Sequence, residues 1–184
     1  ADENMRFRDE PIRFHIGPPR QVEFEAETRL EWPKIDKTVG SFNLQVESGQ
    51  LKAGEIVGIL GPNGIGKTTF IKELLEYYTK SSQNQLQVSY KPQYISAEYK
   101  GTVEQLLRSL AKDEFGSGWY KAEIMQPLDL DPLMERDVSE LSGGELQRIA
   151  ISACLSKKAL VYLLDEPSAY LDVEERLAMA RAIR

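Results

Sequence analysis

A glycine-rich run of the chain has the composition and spacing of a loop that holds phosphate groups. From Gly61 to Thr68 it follows the order GxxxxGK[ST]. Glycines let the backbone curl so that its N–H groups point at phosphate oxygens, and the helix start that follows adds positive potential. We expect Lys67 to reach the β- and γ-phosphates and the Thr68 hydroxyl to ligate Mg²⁺. The residues predicted to hold the nucleotide here are Gly61, Pro62, Asn63, Gly64, Ile65, Gly66, Lys67, Thr68 and Thr69.

Two adjacent acids, Asp165 and Glu166, end an apolar run at residues 160–164. Consecutive residues of a strand point to opposite faces, so the two carboxylates cannot share one task. We expect Asp165 to hold Mg²⁺ or its water, and Glu166 to polarise an attacking water as general base. Ligands bind at the carboxyl ends of strands in open α/β sheets, which is where this pair is predicted. Without the phosphate loop, two solvated acids at a strand end would be the better interpretation.

Residues 141–148, Leu-Ser-Gly-Gly-Glu-Leu-Gln-Arg, predict a helix whose start suits an anion. Ser142 and Glu145 have the spacing of a capping box. Gly143 and Gly144 lower helix stability, but they remove side chains where the helix start would approach a ligand. Because a helix N-terminus is an anion site, we predict a second phosphate contact at these four residues. A well-capped helix without a ligand is the alternative.

Hydrophobic periodicity predicts the elements that must position these residues. Residues 12–16, 22–26 and 42–46 alternate apolar and polar side chains, which is typical of half-buried antiparallel strands. Continuous apolar runs at 56–60 and 159–164 indicate strands buried on both faces, and 86–90 is a further predicted strand. Helices are predicted at 68–78, from 102, at 142–156 and from 172, the last three with capping boxes. This order predicts an α/β fold with a mainly parallel core sheet.

The composition is that of a soluble globular chain, with 41% apolar and 28% charged residues and a net charge of −6 over 184 residues. No apolar run approaches the roughly 20 residues of a membrane span, and residues 1–9 do not resemble a signal peptide. The acidic balance argues against a broadly basic nucleic-acid surface. Cys154, as the single cysteine, excludes a disulfide, an iron–sulfur cluster or a cysteine zinc site within this chain and is predicted to be a core residue. We expect a cytoplasmic protein without membrane or direct DNA contact. The only histidine, His15, lies in a predicted N-terminal strand and is expected to be a surface residue without a catalytic role.

The string at residues 141–148 resembles the signature motif of ABC-type ATPases. The resemblance extends from the phosphate loop to Asp172 and implies an ABC-type ATPase domain with an N-terminal antiparallel β subdomain and a helical subdomain that carries the signature. In this superfamily the signature meets the γ-phosphate bound to the opposite ATPase domain. The resemblance therefore implies a second ATPase domain as a partner, with ATP and Mg²⁺ bound between the two domains.

The same resemblance implies roles for three further residues. Gln93 follows a predicted strand, where ABC ATPases have a glutamine that senses Mg²⁺ and the attacking water. Asp172 closes the sequence Ser-Ala-Tyr-Leu-Asp, which resembles the loop that couples two ABC sites. An upstream aromatic residue stacks on adenine in these proteins. We favour Trp32 for this role, with Phe42 and Phe24 as alternatives.

Four strings together resemble the RNase L inhibitor family, the soluble E-subfamily ABC proteins that split ribosomes for recycling. They are Glu-Asn-Met-Arg-Phe-Arg at 3–8, Val-Ser-Tyr-Lys-Pro-Gln at 88–93, the signature, and the eight residues 165–172. The match is nearest to the second ATPase domain of that family. It implies the small ribosomal subunit and release or recycling factors as partners, and an iron–sulfur cluster only in a separate N-terminal domain. The alternatives are the ATPase subunit of an ABC membrane transporter and a non-catalytic module in which ATP binding gates association.

We expect residues 1–184 to form one partial ATPase domain in four parts. These are a β-rich part (1–54), a phosphate-loop core (55–96), a helical subdomain (97–140) and a last part with the signature helix, the carboxylate strand and the helix after Asp172 (141–184). The chain starts at alanine and ends twelve residues past Asp172, before the family's switch histidine. We therefore expect a C-terminally truncated piece of a Mg²⁺-dependent ATPase, with weak or no hydrolysis on its own.

Overall fold

A computed structural model describes residues 28–80, 87–93 and 98–184 of the chain. The predicted strands at 12–16 and 22–26 lie outside the described residues. His15 and Phe24 lie there as well, as does the string at residues 3–8.

Four short strands form the N-terminal described part: β1 (Thr28–Trp32), β2 (Ile35–Val39), β3 (Phe42–Val46) and β4 (Gly49–Lys52). Strands β2 and β3 form an antiparallel hairpin, and β1 pairs antiparallel with β4. The hairpin turns at Gly40, whose φ of 59° suits a glycine in a two-residue turn. The predicted alternation at 42–46 is confirmed, because Leu44 is buried between exposed neighbours.

The phosphate-loop helix and a parallel strand pair follow. Helix α1 (Lys67–Lys80) comes directly after the glycine-rich loop, and strands β5 (Val88–Lys91) and β6 (Val161–Leu164) pair in parallel. The helix at 68–78 and the strands near 86–90 and 159–164 are thus confirmed, each within two or three residues of its predicted bounds. A small apolar cluster joins this layer to the N-terminal strands through Leu30, Leu74, Tyr78 and Val161.

The prediction of a buried strand at residues 56–60 is wrong. These residues have no strand pairing with any described strand, and their apolar side chains are exposed, Leu60 by 92%. A continuous apolar run indicates a tendency to be buried. A strand also needs a neighbour that supplies backbone hydrogen bonds, and this requirement is not local in sequence. Among the described strands, β6 pairs only with β5.

The remaining described residues are mostly helical. Helix α2 (Val103–Ala111) and the short α3 (Gly118–Tyr120) are followed by a π-helical turn at Lys121–Met125. Helix α4 (Gly143–Leu155) and helix α5 (Val173–Ile183) complete the chain. The main core lies between α2, the π-helical turn and α4, and includes Leu107, Tyr120 and Ile149. No helix in the described ranges is long and apolar enough to cross a bilayer.

Cys154 lies in the core, as predicted. It is buried on α4, and the Ser89 hydroxyl of β5 donates to its carbonyl oxygen at 2.7 Å. Burial raises the pKa of the Cys154 thiol, so this cysteine is held as a neutral core residue.

Candidate nucleotide site

The glycine-rich loop leads directly into helix α1, in the order that phosphate binding requires. Lys67 begins the helix, and its ammonium donates to the carbonyl oxygens of Gly61 at 2.8 Å and Pro62 at 3.0 Å. The lysine therefore lies over its own loop. Gly66 has a φ of 103°, and a Cβ there would lie 2.9 Å from both Leu44 and Phe42. Only glycine allows strand β3 to pack this closely against the loop.

A hydrogen bond joins the phosphate loop to the acid at the end of β6. The Thr68 hydroxyl of α1 donates to Asp165 Oδ1 at 3.1 Å, across 97 positions of sequence. Asp165 is only 2% exposed, and its Oδ2 has no hydrogen-bond partner among the described residues. A hydroxyl and a buried carboxylate are hard oxygen donors of the kind that Mg²⁺ takes. These two residues therefore fit a magnesium ion.

The described residues contain no cluster of three or more His, Cys, Asp and Glu that could hold a metal. Mg²⁺ commonly binds one or two protein oxygens and completes its shell with water and substrate phosphates. The donor set at Thr68 and Asp165 thus suits a metal that arrives with a nucleotide better than one held by the protein alone.

Lys91, at the end of β5, contacts the backbone of Asp165 at both its N–H and its carbonyl group. The Asp165 N–H donates to the Lys91 carbonyl at 3.0 Å, and the Lys91 ammonium donates to the Asp165 carbonyl at 2.9 Å. Lys91 is 1% exposed, and burial lowers the pKa of its ammonium while the Asp165 carboxylate acts in the opposite direction. Gln93 follows two residues later, at the same edge of the parallel pair as Asp165.

Sequence reasoning missed Lys91. The pattern of β5 favours an apolar face with Val88 and Tyr90, yet the fully buried residues are Ser89 and Lys91 on the opposite face. No local signal marks this reversal, because the partners that satisfy Ser89 and Lys91 are on α4 and after β6.

Glu166 follows Asp165 with an uncommon backbone conformation. Its φ is 46°, in the left-handed region that costs a non-glycine residue roughly 1–2 kcal/mol. The buried amide of Gln147 donates through Nε2 to the carbonyl oxygens of Glu166 and Pro167, at 2.9 Å each. Gln147 is part of the signature string, but sequence reasoning singled out only the four residues at the helix start. A glutamine on the buried face of a helix was the available signal.

The capping box at the start of α4 is confirmed. Ser142 Oγ accepts the Glu145 N–H at 3.4 Å, and Glu145 Oε2 accepts the Ser142 N–H at 2.8 Å. Arg136 also donates to Glu145, at 2.5 Å. These contacts, above all the hydrogen bond from the Ser142 backbone, lower the pKa of the Glu145 carboxyl. The contact of this helix start with a phosphate stays a prediction.

The loop before α5 lies against the two signature glycines. A Cβ on Gly143 would lie 3.7 Å from the Tyr170 ring, and one on Gly144 would lie 3.2 Å from the Tyr170 carbonyl oxygen. Asp172 caps α5 by accepting the Glu175 N–H at 2.8 Å, which confirms the predicted capping box. The structure therefore brings this loop to the signature. A coupling role for Asp172 stays a prediction.

Trp32 packs at the edge of the N-terminal strands. Its indole N–H donates to the Glu47 carbonyl at 2.9 Å, and its ring meets Phe70 of α1 edge-on at 5.6 Å between centroids. Gly49 leaves room for the ring, because a Cβ there would lie 2.3 Å from it. Phe42 instead touches the phosphate loop at Gly66. Adenine stacking by Trp32 stays a prediction.

Comparison with known proteins agrees with this geometry. The family model of ABC transporters matches residues 44–169. An ABC transporter E family member 3 of Arabidopsis thaliana is 38% identical over 80% of this chain and 86% of its own length. The chain belongs to the E family of ABC-type ATPases. The predicted α/β fold class and the predicted resemblance to E-subfamily ABC proteins are thereby confirmed. The match to the second ATPase domain of that family stays a prediction.

Other relatives are much longer than this chain. An uncharacterized ABC transporter ATP-binding protein of Methanocaldococcus jannaschii is 50% identical over all of the chain but only 31% of its own length. The translation initiation factor RLI1 of Saccharomyces cerevisiae is 40% identical, over 99% of the chain and 31% of the factor. The chain thus spans about a third of these relatives.

A solved structure covers nearly the whole chain. It is the complex of archaeal ribosomal stalk protein aP1 and archaeal ribosome recycling factor aABCE1, with a TM-score of 0.83 and 51% identity. The match covers 98% of this chain and 35% of that one.

Proposed function

We propose that this chain is the nucleotide-binding part of a Mg²⁺-dependent ATPase. The observation that carries the proposal is the hydrogen bond between Thr68 and Asp165, which joins the phosphate loop to the acidic end of β6. In this proposal residues 61–69 hold the phosphates, with Lys67 at the β- and γ-phosphates. Thr68, Asp165 and Gln93 hold Mg²⁺, which neutralises phosphate charge when bound. Glu166 accepts a proton from the attacking water as general base.

We further propose that the whole protein splits ribosomes for recycling. Support comes from the similarity to a translation factor of yeast and to an archaeal ribosome recycling factor. Two ATPase domains would close on two nucleotides, with Ser142, Gly143, Gly144 and Glu145 completing the opposite site. ATP that binds the closed state better than the open state shifts the equilibrium towards closure. The proposed partners are a second ATPase domain, the small ribosomal subunit and release or recycling factors, in the cytoplasm.

The cysteine content of this chain bears on the iron–sulfur cluster that the family resemblance implies. Its single cysteine cannot ligate an iron–sulfur cluster. The resemblance to the RNase L inhibitor family implies such a cluster only in a separate N-terminal domain, and our proposal for the whole protein includes it there.

The test uses the full-length protein with ribosomes. Lys67→Ala is expected to abolish ATP binding at this site, because the phosphates lose their cation. Glu166→Gln is expected to keep ATP binding but to remove the hydrolysis due to this site, so that the closed state persists. A matched control is Glu123→Gln, an exposed acid on the helical part.

Two results would reject the proposal. Hydrolysis that Glu166→Gln leaves unchanged would remove the ATPase assignment. Purification with membranes, without affinity for ribosomal subunits, would favour the ATPase subunit of a transporter.

A further inference from the structure

The amide of Gln147 joins helix α4 to the loop that carries Glu166. Its Nε2 donates to the carbonyl oxygens of Glu166 and Pro167, at 2.9 Å each. The side chain is fully buried, so water does not compete for these two bonds. Two successive peptide groups are therefore fixed to the helix at the point where the general base leaves the end of β6.

These bonds act on a backbone that few residues adopt. Glu166 has a φ of 46°, and such a conformation persists in a non-glycine residue only where the surroundings over-determine it. The Ala169 N–H also donates to the Glu166 carbonyl, at 3.2 Å. That single carbonyl oxygen thus accepts one bond from the following turn and one from Gln147.

The amide at this position also carries a cost in stability. Oε1 of Gln147 is buried with no hydrogen-bond partner among the described residues. A buried polar atom without a partner destabilises the fold, whereas an apolar side chain of similar size would not carry this penalty. The useful part of the side chain is therefore its donor, and the donor is used on Glu166 and Pro167.

Helix α4 is also the helix whose start is the predicted phosphate contact. Gln147 lies five positions after Ser142, which is about 7.5 Å along the axis at 1.5 Å per residue. Within one rigid helix, a shift of the start moves the amide of Gln147 as well. We propose that Gln147 is a positioning residue that couples the signature end of α4 to the carboxylate of Glu166. The proposal rests on the proposed function for the role of Glu166 as general base.

The test substitutes Gln147→Met in the full-length protein. Methionine has a similar length and fills the same buried space, but it cannot donate to the two carbonyls. We expect the Glu166-dependent part of kcat to fall by about tenfold or more, because a misplaced base loses its alignment with the water. KM for ATP should stay unchanged, since the phosphate loop is untouched. Hydrogen exchange at the Ala169 amide should become faster, because the turn closed on the Glu166 carbonyl is released.

The matched control is Ile151→Val, one helical turn further along the same buried side of α4. It removes core volume without changing the contacts of Glu166 and Pro167. It should therefore lower Tm and leave kcat and hydrogen exchange at Ala169 as in the wild type. Gln147→Leu serves as a second variant if the methionine variant is unstable. A wild-type kcat in Gln147→Met or in Gln147→Leu would overturn the proposal. A loss of activity that appears only as a raised KM would overturn it as well.

Failure of the proposed function gives a different pattern. In that case the wild type does not hydrolyse ATP, or Glu166→Gln leaves its hydrolysis unchanged. Hydrogen exchange at Ala169 still reports on the two hydrogen bonds from Gln147, because this measurement needs no ATP turnover. Exchange that stays slow in Gln147→Met would then overturn the positioning role by itself.

Discussion

At the scale of single residues, a substitution of Asp165 can distinguish binding of the metal from binding of the nucleotide. We predict that Asp165→Asn keeps the acceptor for the Thr68 hydroxyl but removes the charge that Mg²⁺ requires. Affinity for ATP with Mg²⁺ should fall by at least about tenfold, and affinity for ATP without Mg²⁺ should change little. Titration calorimetry with and without Mg²⁺ measures both, with Glu123→Gln as the control. Equal losses in the two titrations would show that Asp165 serves the fold rather than the metal.

Lys91 offers a second prediction at this scale, because function and stability should respond differently to its loss. Lys91→Met removes a buried ammonium and its desolvation penalty, but it also takes a donor from the Asp165 carbonyl. These effects offset each other, so we expect the free energy of unfolding to change by less than about 1 kcal/mol. Affinity for ATP with Mg²⁺ should fall by about tenfold, since Asp165 loses its backbone support.

Urea unfolding and nucleotide titration measure the two quantities for Lys91→Met. The exposed Lys100→Met is the matched control. Affinity equal to that of the wild type would contradict the support role. If affinity for ATP with Mg²⁺ and the free energy of unfolding fall together, Lys91 serves only as an ordinary core contact.

At the scale of elements, the capping box of α4 predicts a pH dependence of stability. Its contacts lower the pKa of Glu145 from 4.5, so the folded state favours the charged form. This contribution is present above pH 4.5 and is lost as the pH falls through the lowered pKa. Glu145→Gln keeps an acceptor for the Ser142 N–H but lacks the charge. The difference in unfolding free energy between wild type and variant should therefore disappear in acid.

Chemical unfolding across this pH range tests the capping box. Ser142→Ala should cost about 1 kcal/mol at neutral pH, because the Glu145 N–H loses its acceptor. Glu140→Gln, an exposed acid just before the helix, is the control. A wild-type advantage over Glu145→Gln that persists in acid would show that the carboxylate charge is not its source.

Elements with local causes could be predicted from the sequence. The capping boxes at Thr102, Ser142 and Asp172 each pair a cap with a residue three positions later, and all three are present. Which strands pair, and which face of a strand is buried, depends on residues that are distant in the sequence. The run at 56–60 therefore has the composition of a buried strand without being one, and β5 buries Ser89 and Lys91 rather than its apolar face. The same limit hid Lys91 and Gln147, whose partners lie 74 and 19 residues away.

At the scale of the whole molecule, the two signature glycines should respond differently to alanine. A Cβ on Gly143 would make an ordinary contact of 3.7 Å with the Tyr170 ring, whereas one on Gly144 would press on the Tyr170 carbonyl at 3.2 Å. Alanine loses less conformational freedom on folding than glycine, a difference of roughly 0.5–1 kcal/mol in the middle of a helix. We therefore expect Gly143→Ala to raise Tm and Gly144→Ala not to. If the helix start meets a phosphate, Gly143→Ala should still lower hydrolysis.

Gly143→Ala can also show how the two ATPase domains are arranged. The question is which of the two nucleotide sites loses its hydrolysis in this variant. In the proposed sandwich, Gly143 serves the nucleotide of the opposite domain, while Glu166 serves the nucleotide of its own. If the two sites act independently, each single variant should retain roughly half of the turnover, and the double variant Gly143→Ala with Glu166→Gln should lose nearly all of it. A signature that served its own domain would give a double variant no worse than Glu166→Gln alone. Steady-state ATPase rates of the full-length protein and its three variants therefore decide whether this helix start faces its own nucleotide or that of a partner domain.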